Sequence, residues 1–172
     1  PPVSRPGHRA LWAVVVGVQG ETYGMPKAVL LGAAARSICI PGRLCLAEVR
    51  NQLSSPKLIE WLRSDIFRMH GFIELYLNGR WVKATPAFNR QLCELMKVEP
   101  LPFDGVNDSV FQEFTEDGQA HMEYINDHGV FDDVPFDFIV DGVRRAYGHL
   151  FEADGQPQTM TGSLEQDISD RS

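Results

Sequence analysis

The sequence predicts an α+β fold, an N-terminal helix packed on a small antiparallel sheet with further helices behind it, and three observations carry that expectation. Pro26 opens a mostly apolar run, Lys27–Ile38, and Ile40–Pro41–Gly42 stops it. That is the punctuation of a helix buried over most of its surface, since proline loses nothing at a first helical position. Arg43–Val49 alternates, with Leu44, Leu46 and Glu48 on one face, which is the period of a strand. Two further strand-like runs, His70–Leu77 and Arg80–Ala84, flank Asn78–Gly79. Asn-Gly between such runs signals a hairpin, because a type I′ turn needs positive φ at both central residues.

The remaining elements follow in order. Pro1–Gly7 reads as a flexible start, and the apolar, β-branched Ala10–Val18 as a strand. Arg5, His8 and Arg9 ahead of it give the outline of a signal peptide, but no small-residue cleavage pattern follows Val18, so a buried segment is the better reading. The start at Pro1 fits a fragment or a processed product. Glu21–Gly24 reads as a turn. Ser55–Pro56 opens a second helix running through Ile66, with Leu58, Leu62 and Ile66 recurring at every fourth residue. Phe88–Leu95 reads as a short helix, and Pro100–Gly118 as a turn-rich stretch anchored by Phe103, Phe111 and Phe114. Met122–His128 and Phe136–Leu150 read as C-terminal helices. Asp154–Ser172, rich in Gly, Gln, Ser and Asp, reads as a disordered tail. The expected organisation is therefore a segment over 1–22, a domain over 23–152 and a tail over 153–172.

Composition narrows the function. The 172 residues hold 16 Lys and Arg against 23 Asp and Glu, a net charge of −7, which argues against a nucleic-acid partner. Cys39, Cys45 and Cys93 form no pair of close spacing, so reduced thiols and a cytoplasmic location are expected. No cysteine–histidine cluster has metal-ligand spacing, so neither metal nor cofactor is expected. No apolar run reaches the roughly 20 residues of a membrane helix.

Four short motifs then fall in one order. Met25–Pro26–Lys27–Ala28–Val29–Leu30–Leu31 opens the first helix, and Ile40–Pro41–Gly42–Arg43 turns it into a strand. His70–Gly71–Phe72–Ile73–Glu74 opens the next strand. Asn78–Gly79–Arg80–Trp81–Val82 makes the hairpin, and Thr85–Pro86 closes it fifteen residues after His70. This order resembles the catalytic core of the transglutaminase-like superfamily, relatives of papain-type cysteine enzymes. There, a Cys at a helix start is followed by a Gly-Ile-Pro-Ala-Arg-like turn, a His-x-aromatic-x-Glu strand and a hairpin ending in Asp-Pro. The resemblance covers about Tyr23 to Asn89. It implies a papain/transglutaminase-like core, a cleft between Gly24–Met25 and the His70 strand, and acyl transfer or amide hydrolysis on a peptide or amide substrate.

Two positions depart from that pattern. Gly24 stands where the family keeps its nucleophilic cysteine, and a covalent mechanism needs a thiolate there. The chain as written is therefore expected to be inactive, and its rival reading is a non-catalytic binding module, a pseudoenzyme, using the same cleft for a protein or peptide partner. A deliberate replacement and an altered reading frame upstream of Met25 are the other accounts of Gly24. Neither Cys39, about 20 Å away along the helix, nor Cys45, in the following strand, replaces the missing thiol. Thr85 stands where the resemblance implies an Asp orienting His70. A hydroxyl accepts from an imidazole N–H but supplies no charge. Asn89 offers an amide oxygen for the same role, second to Thr85. The expected site is thus His70, Thr85, Asn89 and the empty nucleophile position at Gly24.

Other polar residues have plainer readings. Glu74 shares a strand face with His70 and reads as a solvated or salt-bridged hairpin carboxylate. Arg43 reads first as a surface charge and second as the partner of an acidic neighbour, and Trp81 as packing over the hairpin or a wall of the cleft. His121, His128 and His149 share no spacing and read as structural or solvated. Asp132, Asp133 and Asp137 read as a soluble face.

Overall fold

Asn78 and Gly79 take φ values of 51° and 83°, the backbone of the expected type I′ turn, and join β2 (Ile66–Leu77) to β3 (Arg80–Ala84). In the computed structural model, residues 24–87, 90, 93–94, 97–111, 114–115, 118–119 and 121–151 are described. The expected strand over Ala10–Val18, the tail over Asp154–Ser172, Asn89 and most of Phe88–Leu95 lie outside the described residues.

The architecture is α+β. The other elements are α1 (Gly24–Ser37), β1 (Gly42–Asn51), α2 (Pro56–Leu62), β4 (Met122–Phe131) and α3 (Phe136–Tyr147), with a 3₁₀ turn over Gly148–Leu150. The strands form one sheet in the order β3-β2-β1-β4, with every neighbouring pair antiparallel.

Helix α1 lies on this sheet through its smallest side chains. Ala28, Gly32 and Ala35 are buried and recur at helical spacing. A Cβ on Gly32 would stand 2.8 Å from Ile73 Cδ1, so a side chain there would have to displace the tip of Ile73. The stripe is narrow: Leu30 is 70 % exposed, which corrects the expectation of a helix buried over most of its surface. The helix ends in a Schellman motif. The Ile40 N–H donates to Ala35 O (2.9 Å), the Cys39 N–H donates to Arg36 O (3.0 Å), and Cys39 holds the left-handed position at φ 63°. Arg36, in the last turn, donates to the carbonyls of Gly42 and Asp132 and ties the helix end to the sheet.

Helix α2 is capped as expected, with Ser55 Oγ accepting from the Leu58 N–H at 3.1 Å. It stops at Leu62 rather than running to Ile66. Arg63 turns left-handed at φ 54°, Ser64 Oγ accepts from the Ile66 N–H, and Asp65 O accepts from the Asn51 N–H. Those bonds commit Ile66 to β2.

Met122–His128 is not a helix but the first part of β4. It pairs with the free edge of β1 from Asn51↔Met122 to Leu44↔Phe131. Residues 123–127 are all exposed, so the strand has no apolar alternation to announce it, and the open edge of β1 decides its conformation. Helix α3 meets expectation: Ile139, Val143 and Tyr147 form its buried stripe and pack with Leu44, Leu46, Met69 and Ile73 into the core.

Candidate functional site

A bulge in β2 positions His70. Ala47 pairs with His70 and Val49 with Phe67, so β2 spends one extra residue there, and Met69 takes φ 59° to absorb it. The residue after His70, Gly71, receives the start of α1. A Cβ on Gly71 would lie 2.9 Å from Met25 Cα. The first turn of α1 is also tied to the chain after β3, because Lys27 Nζ donates to Ala87 O at 2.9 Å. The helix start, the His70 end of β2 and the Thr85–Ala87 segment therefore meet.

Behind β3 the turn-rich stretch adds a short extra pairing. Ala84 bridges Ser109 in parallel, the Ser109 N–H donates to Lys83 O (2.8 Å), and the Thr85 N–H donates to Ser109 O (2.9 Å). These bonds wall a cavity of about 150 Å³, lined by His70, Thr85, Leu31, Phe103, Phe111 and Met122 among others. Two polar atoms in this lining make no hydrogen bond among the described residues: His70 Nε2 and Thr85 Oγ1, both fully enclosed. His70 keeps slight exposure as a residue, but loss of solvent around its ring pushes its pKa down from 6.5 to about 4. It is a neutral imidazole at neutral pH, able to accept a proton but not to act as a standing cation.

The other expected site residues are placed as follows. Gly24 opens α1 one residue before the Met25–Gly71 contact. Thr85 shares the cavity with His70 without a hydrogen bond from its hydroxyl. Asn89 lies outside the described residues. Sequence reading missed Ser109 and Phe111 because they come from a stretch with no period, tied to β3 through Ser109, and Met122 because it opens β4, which is placed by its pairing with β1.

On the sheet, Glu74 is buried and salt-bridged to its cross-strand partner Arg43 (Nε to Oε2, 2.7 Å), whose guanidinium stacks 4.0 Å over the Trp81 ring. Arg43 is thus a pairing residue rather than a free surface charge, and Trp81 packs on it and on Tyr76. Cys45 is buried with Ala47 and Phe72, and burial, with Glu74 nearby, pushes its thiol up to about 12. His149 Nε2 meets Trp61 O at 3.0 Å, and His121 is buried with its pKa pushed down to about 4 by desolvation. Asp133 caps the Val134 N–H, and Asp132 O receives Arg36. Among the described residues no group of three or more His, Cys, Asp or Glu is disposed to hold a metal ion, and no helix is long and apolar enough to cross a membrane. No protein-family model, curated protein or solved structure matches the chain.

Proposed function

We propose that this domain is a transglutaminase-like core lacking its nucleophile, which uses the cavity beside α1 that holds His70 and Thr85 as a binding site for a peptide or amide group. The observation that carries the reading is the seating of Met25 on Gly71. It brings the helix start, where such an enzyme would carry its thiol, against the residue that follows His70. The two enclosed polar atoms of the adjoining cavity, His70 Nε2 and Thr85 Oγ1, are suited to hydrogen-bond an amide. In a relative with cysteine at residue 24, His70 would take the thiol proton and later return it to the leaving amine. Backbone N–H groups of the first turn would stabilise the oxyanion. Gly24 removes the bond-forming atom and favours binding over turnover for the chain as written.

The test restores the thiol. In Gly24→Cys, iodoacetamide labelling of residue 24 is followed across pH, beside the titration of the His70 ring by NMR. The helix start lowers the new thiol below the free value of about 8.5. The thiolate in turn stabilises the imidazolium, so the pKa of His70 rises from about 4. An ordinary thiol together with an unmoved His70 means that the two do not face one another, and the acyl-transfer ancestry fails.

A further inference from the structure

A second, larger concavity lies away from the His70 cavity, between α2, the bulged part of β2, β4 and α3. It encloses about 690 Å³, within the range of small-molecule sites. Leu62, Met69, Gly142 and Ala146 supply its apolar lining. Gly142 lets the Met69 side chain lie directly against α3, since a Cβ there would fall 2.0 Å from Met69 Cε.

The polar lining is basic. Arg63, Arg68 and Arg145 stand with His128 and His149 against one carboxylate, Glu48. This reverses locally the sign of a chain whose net charge is −7. Glu48 is already engaged: its Oε2 pairs with Arg68, and its Oε1 lies 3.4 Å from His128 Nε2. The other two arginines have no carboxylate partner among the described residues. Arg145 donates only through Nε to the Asp141 carbonyl at 3.3 Å, and Arg63 is exposed at the left-handed cap of α2.

The backbone irregularities of the sheet gather at the same place. Met69 at φ 59° is in the lining, and Gly129 at φ 95° and the register shift between Glu48 and Val49 are next in sequence to the lining residues His128 and Glu48. Bulges re-aim side chains, and these turn Glu48, Arg68 and His128 toward one space.

We propose that this groove binds a phosphate-bearing small molecule, with the phosphate held by Arg63 and Arg145 and the organic body laid on Leu62 and Met69. Two guanidinium forks without carboxylates match the several acceptor oxygens and double charge of a phosphate monoester. The volume leaves room for more than an inorganic ion, and Phe138, also in the lining, offers a ring to a planar body.

The test is an NMR titration of the full chain with phenyl phosphate, inorganic phosphate, benzoate and phenol. Phenyl phosphate is expected to shift the amides of Arg63, Gly142 and Arg145 and to bind about tenfold or more tightly than the other three. Arg63→Gln with Arg145→Gln is expected to weaken it by a further factor of about ten or more. Both side chains are exposed, so amide dispersion checks that the variant keeps its fold. Shifts elsewhere, equal binding of benzoate or inorganic phosphate, or undiminished binding by the folded double variant would each overturn the proposal.

Discussion

Met25 sits so closely on Gly71 that a Cβ at residue 71 would lie 2.9 Å from the Met25 Cα, Cβ and Cγ atoms alike. The contact is to backbone as well as side chain, so a rotamer change of Met25 does not relieve it. Gly71→Ala must therefore lift the start of α1 from β2. Overpacking of this kind costs about 1–3 kcal/mol. Urea unfolding measures that loss, and the His70 ring signal reports the change beside it. A variant as stable as the parent would show that the helix start is not held here.

Arg43 and Glu74 form a part-buried ion pair between β1 and β2, with side-chain exposures of 30 % and 9 %. Glu74→Ala leaves the guanidinium half-enclosed over Trp81 without its counter-charge. Removing one partner of a buried pair costs about 3–5 kcal/mol, and the exposed side of Arg43 moderates this to about 2–3 kcal/mol. Chemical denaturation gives the number. Replacing Arg43 and Glu74 together by apolar residues should cost less than Glu74→Ala alone, because no lone charge remains.

The elements legible in the sequence are those whose signal is local. The Asn78–Gly79 turn, the Ser55 cap and the apolar stripe of α3 each declare themselves within a few residues. The elements misread are those decided at a distance. β4 carries no apolar alternation over its exposed residues 123–127 and becomes a strand because β1 offers it an edge. Ile66 continues a helical period but is claimed by β2. The site divides in the same way. His70 and Thr85, which share the cavity, stand in ordered motifs, whereas Ser109, Phe111 and Met122, which line it with them, come from segments without a pattern.

Two histidines with desolvated rings make the fold sensitive to acid. Desolvation holds His70 and His121 at pKa values of about 4. An unfolded chain protonates them near 6.5, so below that pH it binds more protons than the native state. Their contribution is complete above about 6.5 and is lost as pH falls toward about 4, by up to about 3 kcal/mol for each histidine. Unfolding free energy measured between those limits should fall with pH, and His70→Gln should remove part of the slope. A slope unchanged in that variant would mean that His70 titrates normally.

The three thiols differ enough to be told apart chemically, which sets the background for any thiol placed at residue 24. Cys45 and Cys93 are buried with their pKa values raised by desolvation, Cys45 to about 12, so both stay protonated and enclosed. Cys39 is exposed at the end of α1. Iodoacetamide on the native chain should therefore label Cys39 and spare the other two, and mass spectrometry of the digest decides it. Cys39 also occupies a left-handed position at φ 63°, where a Cβ costs about 1 kcal/mol. Cys39→Gly should thus raise stability by about that amount while silencing the reactive thiol. A loss of stability instead would show that the Cys39 side chain makes a compensating contact, and the Schellman turn would not be the reason α1 ends where it does.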